Sequence, residues 1–439
     1  MHSDRSWDVV WRLNRWLEKF RVCFGHLAQI VSLRNYVPGL ISDSQRKSMQ
    51  AMLSRLTEPV HYQALQHFIT DAPWDAGVVW RRLLELLPER TGTLIIDDTG
   101  FPKQGRHSVG VSRQYSGTLG KIGNCQIGVT AALWTGLRAY LLGAELYLPR
   151  QWLAGPQRER VRIPQAREFA EKWRLALTLI RRARGAGLHI TAVLADAGYG
   201  DVTAFRTGVE RLRLHYIVGV SSNLTVFPGS PRLAPVRPGG SRGRPRRVPK
   251  LADGEKPISL KRLAAQFPDR TWKRISWRNG ANKPWTREFV GVRVTPQSDL
   301  RRQNRLRQLW LVCERPVGTQ TATKFYFSNF PPEVTLARLV RLAHQRWAIE
   351  QQYQEMKTEL GVDHFEGRTY AGWNHHMVLT AVAHTFIQSE RAKDTRHPLL
   401  TFPAVRSVTA EIFTGLLFVT HPKWVERALK AKRLLELRI

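Results

Sequence analysis

The sequence Leu94-Ile95-Ile96-Asp97-Asp98 places two carboxylates directly after a short apolar run. The same arrangement recurs at Ala192-Val193-Leu194-Ala195-Asp196. A short apolar run bounded by polar residues is typical of a buried strand, and side chains at strand ends can converge on one ligand while the sheet keeps them rigid. We therefore expect Asp97 and Asp196 to lie at strand ends, where each could serve a site or simply cap a turn.

The residues around these two runs predict an alternating α/β fold. Strand-like runs and helical spacings follow one another from residue 91 onward, with a hairpin turn expected at Thr135-Gly136. Such alternation favours the α/β class, in which helices cover a sheet. The expected strands are 94–96, 125–133, 139–148, 189–195 and 216–220, and the expected helices run from Pro164 to Arg184 and from Val202 to Leu212.

Five regions can be distinguished along the chain. Residues 1–90 predict a helical N-terminal region, because apolar residues recur there at three- and four-residue spacing. Residues 91–222 hold the alternating α/β run, which is the first part of the core, and 223–332 hold a basic linker followed by short strand-like pieces. Residues 333–390 complete the core with a long helix, and 391–439 predict a helical C-terminal region.

The net charge of the chain indicates which class of molecule the protein binds. There are 68 Lys and Arg against 35 Asp and Glu, which gives a formal net charge of +33. Such a surface repels itself unless it meets a polyanion: DNA, RNA or an anionic membrane. The absence of an uninterrupted stretch of about 18 apolar residues disfavours a membrane span, and three scattered cysteines fit a reducing compartment. We expect a globular, cytoplasmic protein that binds nucleic acid.

Glu350 is the third candidate acid, and it lies in a helical pattern from Leu336 to Leu360. At about 100° per residue, Arg346, Glu350 and Lys357 fall within roughly 40° of one another on a single edge of the helix. The helix would bury an adjoining apolar stripe and hold a carboxylate between two cations. The alternative is a salt bridge between Arg346 and Glu350 on the protein surface.

Three carboxylates of this kind suit metal-dependent chemistry on a phosphodiester. Two hard divalent cations about 4 Å apart can activate a water or a 3′-hydroxyl and stabilise the leaving 3′-oxygen. Because the ligands are oxygens, Mg²⁺ or Mn²⁺ is expected, with two ions per site held by Asp97, Asp196 and Glu350. Arg346 and Lys357 would then hold DNA phosphates.

Three longer motifs resemble a known family. They are Asp97-Asp98-Thr99-Gly100-Phe101-Pro102-Lys103, the segment from Ser108 to Gln126, and Ala195-Asp196-Ala197-Gly198-Tyr199-Gly200. All three resemble bacterial insertion-sequence transposases of family 701, which belong with the DDE transposases that carry a Tyr-Arg-Glu-Lys signature. Arg346, Glu350 and Lys357 match the last three signature positions, whereas Ala343 stands at the tyrosine position.

The resemblance implies a fold, an activity and partners. It implies an RNase H-like core interrupted by a β-rich insertion, and cut-and-paste transposition on double-stranded DNA with terminal inverted repeats. It implies that a homodimer pairs the DNA ends, which the N-terminal region could recognise. It favours Asp97 over Asp98 as the ligand, although Asp98 remains the alternative because strand neighbours point to opposite faces. A nuclease that does not transpose, and an inactive DNA-binding regulator, remain alternative functions.

Two further features have both a functional and an ordinary interpretation. The basic run containing Arg242, Arg244, Arg246 and Arg247 is either an arm that lies in a DNA minor groove or a solvated loop. Four tryptophans of the insertion either stack an extruded base or pack a β-rich core; they are Trp272, Trp277, Trp285 and Trp310. His375 and His376 are expected to pack or to face solvent rather than to bind a metal, and they are left out of the site.

Overall fold

The computed structural model describes residues 7–118, 120–234, 251–279, 284–303, 306–393, 400–421 and 423. The basic run from Arg242 to Arg247 therefore lies outside the described residues, and so does the C-terminal stretch after residue 423.

Five helices form the N-terminal region, as the apolar spacing predicts. Ser48 begins the third helix by accepting a hydrogen bond from the amide of Ala51, and Asp75 begins the fifth by accepting one from Gly77. A 3₁₀ turn, Arg21–Cys23, follows the first helix. The helices are α1 Trp7–Glu18, α2 Leu27–Ile41, α3 Met49–Leu53, α4 Tyr62–Thr70 and α5 Ala76–Glu85.

Twelve strands of the described chain form one mixed sheet. They are β1 Thr91–Pro102, β2 Ser112–Ser116, β3 Lys121–Trp134, β4 Ala139–Leu146, β5 His189–Ala195, β6 Tyr216–Val220, β7 Thr225–Pro228, β8 Ile258–Ser259, β9 Lys273–Asn279, β10 Pro284–Pro296, β11 Leu309–Arg315 and β12 Lys324–Ser328. The predicted strands are confirmed, with β5 and β6 at their expected bounds. β1, however, continues to Pro102, so Asp97 lies within this strand and not at its end as expected. The short strands β2, β7 and β8 were not predicted.

The strand order explains where the two aspartates meet. Neighbours run β2-β3-β1-β5-β6-β12-β11-β10-β7-β8, with β4 beside β3 and β9 beside β10. β1 is antiparallel to β3, but it is parallel to β5, which is parallel to β6. Because parallel strands end at the same edge, Asp97 and Asp196 lie side by side.

Ten further helices lie outside the N-terminal region in the part of the chain that the structure describes. They are α6 Pro156–Arg160, α7 Lys172–Gly185, α8 Ala197–Gly200, α9 Thr203–Arg211, α10 Leu260–Ala264, α11 Gln297–Gln303, α12 Leu336–Ala343, α13 Trp347–Gln354, α14 Tyr370–Lys393 and α15 Phe402–Thr420. Short 3₁₀ turns occupy Arg150–Trp152, Asp269–Thr271 and His344–Arg346, and a π-helical turn occupies Glu355–Glu359.

Two predicted helices need correction. The helix expected from Pro164 begins only at Lys172, because the Arg158 guanidinium binds the carbonyl oxygens of Gln165 and Arg167 at 2.6 and 3.0 Å, and a carbonyl held by a side chain is diverted from a helical ladder. The single helix expected over 336–360 is instead α12, a 3₁₀ turn, α13 and a π-helical turn.

Helices pack on both faces of the sheet. Apolar residues of α7 and α9 cover one face, and those of α12 and α13 cover the other. A third cluster joins the N-terminal helices to α14, whose side chains are buried from Trp373 to Ile387 except at Asn374. The helix that carries Glu350 packs on the sheet, and the π-helical turn that follows it contributes Met356 to the third cluster.

One helix of the described chain, α15, is long and apolar enough to cross a membrane by length and composition. Arg406 and Glu411 interrupt its apolar run, which is why the sequence has no long apolar stretch there. Phe402, Phe413 and Leu417 are buried, and Arg406 pairs with Glu359 of the π-helical turn at 2.6 Å. In this structure α15 therefore packs against the segment that follows Glu350.

Candidate active site

Three structural elements position the three candidate acids. Asp97 lies within β1, opposite Thr130 of β3, and Asp196 directly follows β5. Glu350 lies in the first turn of α13, which packs over the same end of the sheet. Acids from three separate parts of the sequence thus come to one edge of the sheet.

Arg346 joins two of the acids. Its Nη1 donates to Oδ2 of Asp97 at 2.7 Å, and its Nη2 donates to Oε1 of Glu350 at 2.5 Å. These are short, charge-assisted hydrogen bonds. The salt bridge between Arg346 and Glu350, which was the alternative interpretation of this helix edge, is therefore present, and the guanidinium also reaches from the helix to Asp97 of the strand.

Lys357 lies in the π-helical turn that follows α13. Its Nζ donates to the carbonyl of Gly100 at 3.1 Å and to Oγ1 of Thr118 at 2.9 Å. It therefore anchors the end of the Glu350 segment to β1, beyond Asp97. In the structure Arg346 bonds Asp97 and Glu350 directly, whereas Lys357 makes no hydrogen bond to an acid of the site.

Burial controls the charge of the two aspartates. Burial, partly offset by the Arg346 guanidinium, raises the pKa of Asp97 to about 7. Burial also raises the pKa of Asp196, and the neighbouring Asp98 carboxylate adds to that increase. Carboxyl groups that are costly to ionise in a low-dielectric site are stabilised in their charged form by a nearby cation.

The donor set fits a divalent cation in part. Oδ1 of Asp196 is buried and has no hydrogen-bond partner, as expected for an oxygen that can bind a cation. Within the described residues, no three His, Cys, Asp or Glu side chains are already grouped as a metal site. Asp97 and Asp196 could bind a cation directly, whereas Glu350 could join them only if Arg346 moved away.

Asp98 points away from Arg346. Its Oδ2 accepts a hydrogen bond from Lys172 Nζ at 2.6 Å, and its Oδ1 accepts one from the hydroxyl of Tyr199. Neither Lys172 nor Tyr199 was singled out from the sequence. The one signal was the position of Tyr199, three residues after Asp196 in a motif already noted.

A cleft of about 320 Å³ opens beside Glu350. Trp285 is 59% exposed at this cleft, Trp277 stacks on His344 with ring centroids 3.8 Å apart, and the Arg278 guanidinium lies 3.9 Å from the centroid of Trp347. Ala343 also lines the cleft, so the residue at the signature's tyrosine position leaves space there. The cleft combines aromatic and cationic side chains next to the acids.

The remaining tryptophans and the histidine pair have structural roles. Trp272 is buried beneath Arg315, and Trp310 donates from Nε1 to the carbonyl of Pro331 at 3.1 Å. His375 stacks on Trp74 at 3.6 Å and contacts two backbone carbonyls. Both His375 and His376 are buried, as expected for packing residues.

Comparison with known proteins adds two findings. The family described as DDE superfamily endonuclease matches residues 19–284, a region that includes Asp97 and Asp196 but ends before Glu350. A probable transposase for insertion sequence element IS701 from Microchaete diplosiphon is 34% identical over 191 residues, which cover 42% of this chain and 47% of that protein. The chain thus spans about half the length of this curated relative.

Both comparisons confirm the resemblance that the motifs indicate. The matched family region covers more than half of the 439 residues. The chain belongs to the DDE superfamily endonuclease family.

Proposed function

We propose that this protein is an insertion-sequence transposase that cuts and joins DNA. The observation that carries the proposal is the Arg346 guanidinium, which bonds both Asp97 of β1 and Glu350 of α13 near the point where Asp196 follows β5. Family membership and the similarity to a probable transposase support the same function.

The core of this enzyme is RNase H-like. The order β4-β3-β1-β5-β6, with three antiparallel strands followed by two parallel ones, supports this assignment. The β-rich insertion lies between β6 and α12. Its strands extend the core sheet, because β12 pairs with β6 through Phe325↔Val220 and three further residue pairs.

The proposed cofactor is a pair of Mg²⁺ or Mn²⁺ ions held by Asp97, Asp196 and Glu350. Such ions supply activation of the attacking oxygen and charge stabilisation at the leaving 3′-oxygen. Arg346 releases Asp97 and Glu350 and turns its guanidinium to a DNA phosphate, a geometry that suits its two-pronged donor group. Lys357, anchored at Gly100, offers its ammonium to the phosphate backbone nearby.

The DNA substrate is double-stranded and carries terminal inverted repeats. The formal charge of +33 supports a long phosphate contact, and the cleft lined by Trp277, Trp285 and Trp347 can stack a base from a distorted end. We propose that Arg242, Arg244, Arg246 and Arg247, which lie outside the described residues, contact the DNA minor groove. The enzyme acts as a homodimer on the bacterial nucleoid in the cytoplasm, since two DNA ends must be joined together.

The test is cleavage of DNA that flanks the gene, supplied on a supercoiled plasmid with Mg²⁺. Asp97→Asn, Asp196→Asn and Glu350→Gln each remove one ligand charge, and we expect each to lower cleavage by roughly a thousandfold. DNA binding, measured by gel shift, should remain within about threefold of the parent protein, because phosphate contacts come from cations. Asp253→Asn, at an exposed acid outside the site, is the matched control.

Three outcomes would contradict the proposal. Full Mg²⁺-dependent cleavage by Asp97→Asn would exclude the assigned site. Cleavage without insertion of the freed 3′-end into a target plasmid would identify a nuclease instead, and binding with neither reaction would identify a regulator.

A further inference from the structure

The backbone alone does not hold Asp196 beside Asp97. The ladder between β1 and β5 ends at the pair Ile95↔Leu194, two residues before each acid. Beyond that point β1 continues in its pairing with β3, whereas the chain after β5 turns into the short helix α8. Side-chain contacts beyond this ladder can therefore help to set the separation of the two carboxylates.

Asp98 supplies such contacts. Its carboxylate accepts hydrogen bonds from the hydroxyl of Tyr199 and from Nζ of Lys172, the latter at 2.6 Å. Tyr199 is only 3% exposed, and its amide donates to the carbonyl of Asp196 at 3.2 Å. The phenol thus ties the turn that carries Asp196 to the residue next to Asp97.

Lys172 adds a charge to this arrangement. Asp98 would otherwise place a third carboxylate beside the Asp97 and Asp196 pair, with nothing to balance it. Lys172 stands at the first position of α7, so its ammonium is delivered from a helix that is packed on the sheet. It can neutralise Asp98 without occupying the space between Asp97 and Asp196.

We propose that Asp98, Tyr199 and Lys172 form a latch that fixes the spacing of Asp97 and Asp196 and thereby sets their affinity for divalent metal. The three are positioning residues, and the inference rests on the proposed function of the two aspartates as metal ligands. Groups that orient metal ligands from behind typically change metal affinity by about 10-fold to 100-fold.

The test measures the Mn²⁺ dissociation constant of the full-length protein without DNA, by the electron paramagnetic resonance signal of free Mn²⁺. Tyr199→Phe removes one hydroxyl and keeps the ring that packs on Phe205 at 5.4 Å. We expect it to weaken Mn²⁺ binding about 10-fold. Cleavage should fall at low Mn²⁺ and recover at saturating Mn²⁺, a response that general structural damage would not give.

Two further substitutions keep the test decisive if Tyr199→Phe folds poorly. Lys172→Met should weaken Mn²⁺ binding to a similar extent, whereas Lys172→Arg keeps the cation and should restore binding to within about threefold of the parent protein. The matched control is Tyr216→Phe, which removes another buried phenol that bonds Glu210 at 3.2 Å and should leave Mn²⁺ affinity unchanged.

Asp97→Asn separates failure of the latch from failure of the proposed function. If Asp97→Asn abolishes Mn²⁺ binding while Tyr199→Phe and Lys172→Met bind Mn²⁺ as tightly as the parent protein, the latch is wrong and the metal site stands. If Asp97→Asn itself leaves the Mn²⁺ dissociation constant unchanged, the assigned metal ligands are wrong and the latch cannot set their affinity for metal.

Discussion

At the scale of single residues, Arg346 connects the acids of the site, because its guanidinium bonds both Asp97 and Glu350. Its guanidinium is 31% exposed and bonds Asp97, whose side chain is 13% exposed, so this pair is shielded from water on most sides. Glu350, by contrast, is 60% exposed. The Asp97 contact should therefore dominate the contribution of Arg346 to stability, because exposed ion pairs contribute little.

Replacing Arg346 by Gln should lower the free energy of unfolding in metal-free buffer by about 1–3 kcal/mol, since a buried carboxylate loses a charged hydrogen-bond donor. Urea denaturation followed by circular dichroism gives this value. Arg34→Gln is the control: it breaks an ion pair in which both side chains are 43% exposed, so the expected loss is under about 1 kcal/mol. Equal losses in the two variants would contradict the argument.

The opposite orientations of Asp97 and Asp98 could be predicted from the sequence, because successive residues of a strand face opposite sides. The side chains that bond Asp97 and Asp98 could not be predicted from the sequence. Arg346 and Tyr199 lie 249 and 101 residues away from Asp97 and Asp98, respectively. Contacts of such separation depend on the packing of whole elements, which residue spacing alone does not contain. The roles of Lys172 and Tyr199 therefore emerge only from the structure.

At the scale of elements, the turn that carries Asp196 packs unusually close to β6. A Cβ atom added at Gly200 would lie 1.8 Å from the carbonyl oxygen of Gly219. That neighbour is backbone, which cannot rotate away as a side chain would. The Arg206 guanidinium also bonds the carbonyl of Gly200 and reaches Asp299 at 2.6 Å. The Asp196 turn is thus held from the side of the insertion as well.

Gly200→Ala should force this turn away from β6 and lower the free energy of unfolding by about 1–3 kcal/mol, the usual cost of overpacking. Urea denaturation measures the loss. Gly105→Ala serves as the matched control, because an added Cβ at Gly105 meets nothing within 4 Å. A Gly200→Ala protein as stable as Gly105→Ala would mean that the turn yields without cost.

The helix that carries Glu350 shows the limit of periodicity. Arg346 and Glu350 form the salt bridge that was the alternative interpretation of this helix edge, because α13 continues regularly from Arg346 to Glu350. Lys357 falls in the π-helical turn instead, and it contacts Gly100. The sequence between residues 336 and 360 contains no Gly or Pro that would predict these breaks in the helix. They coincide with tertiary contacts, such as the stacking of His344 on Trp277, which the sequence does not reveal.

At the scale of the whole molecule, the N-terminal helices and α14 share one apolar cluster. The sequence predicted the N-terminal helices but gave no sign of this partner, since apolar spacing identifies a buried face and not what covers it. A buried polar contact crosses the same interface: the hydroxyl of Tyr36 lies 2.8 Å from Nδ1 of His376. Nε2 of His376 lies 3.2 and 3.1 Å from the carbonyls of Gly361 and Val362.

These contacts suit a neutral imidazole, which is the form that burial favours. Nε2 donates to the two carbonyls, which leaves Nδ1 to accept the proton of the Tyr36 hydroxyl. His376 is 2% exposed, and burial lowers its pKa from 6.5 to about 4. The unfolded chain therefore binds a proton between pH 6.5 and pH 4 that the folded protein does not. Stability must fall as the pH decreases through this window, and the effect is absent above it.

His376→Gln removes this proton-binding difference. Between pH 7 and pH 5, we expect the parent protein to lose about 2 kcal/mol more unfolding free energy than His376→Gln does, because each unit of pKa difference corresponds to about 1.4 kcal/mol. Urea denaturation at the two pH values gives the comparison. His107→Gln, at an exposed histidine, should keep the pH dependence of the parent protein. If His376→Gln also kept it, the neutral His376 would not couple the N-terminal helices to α14 in the way the contacts indicate.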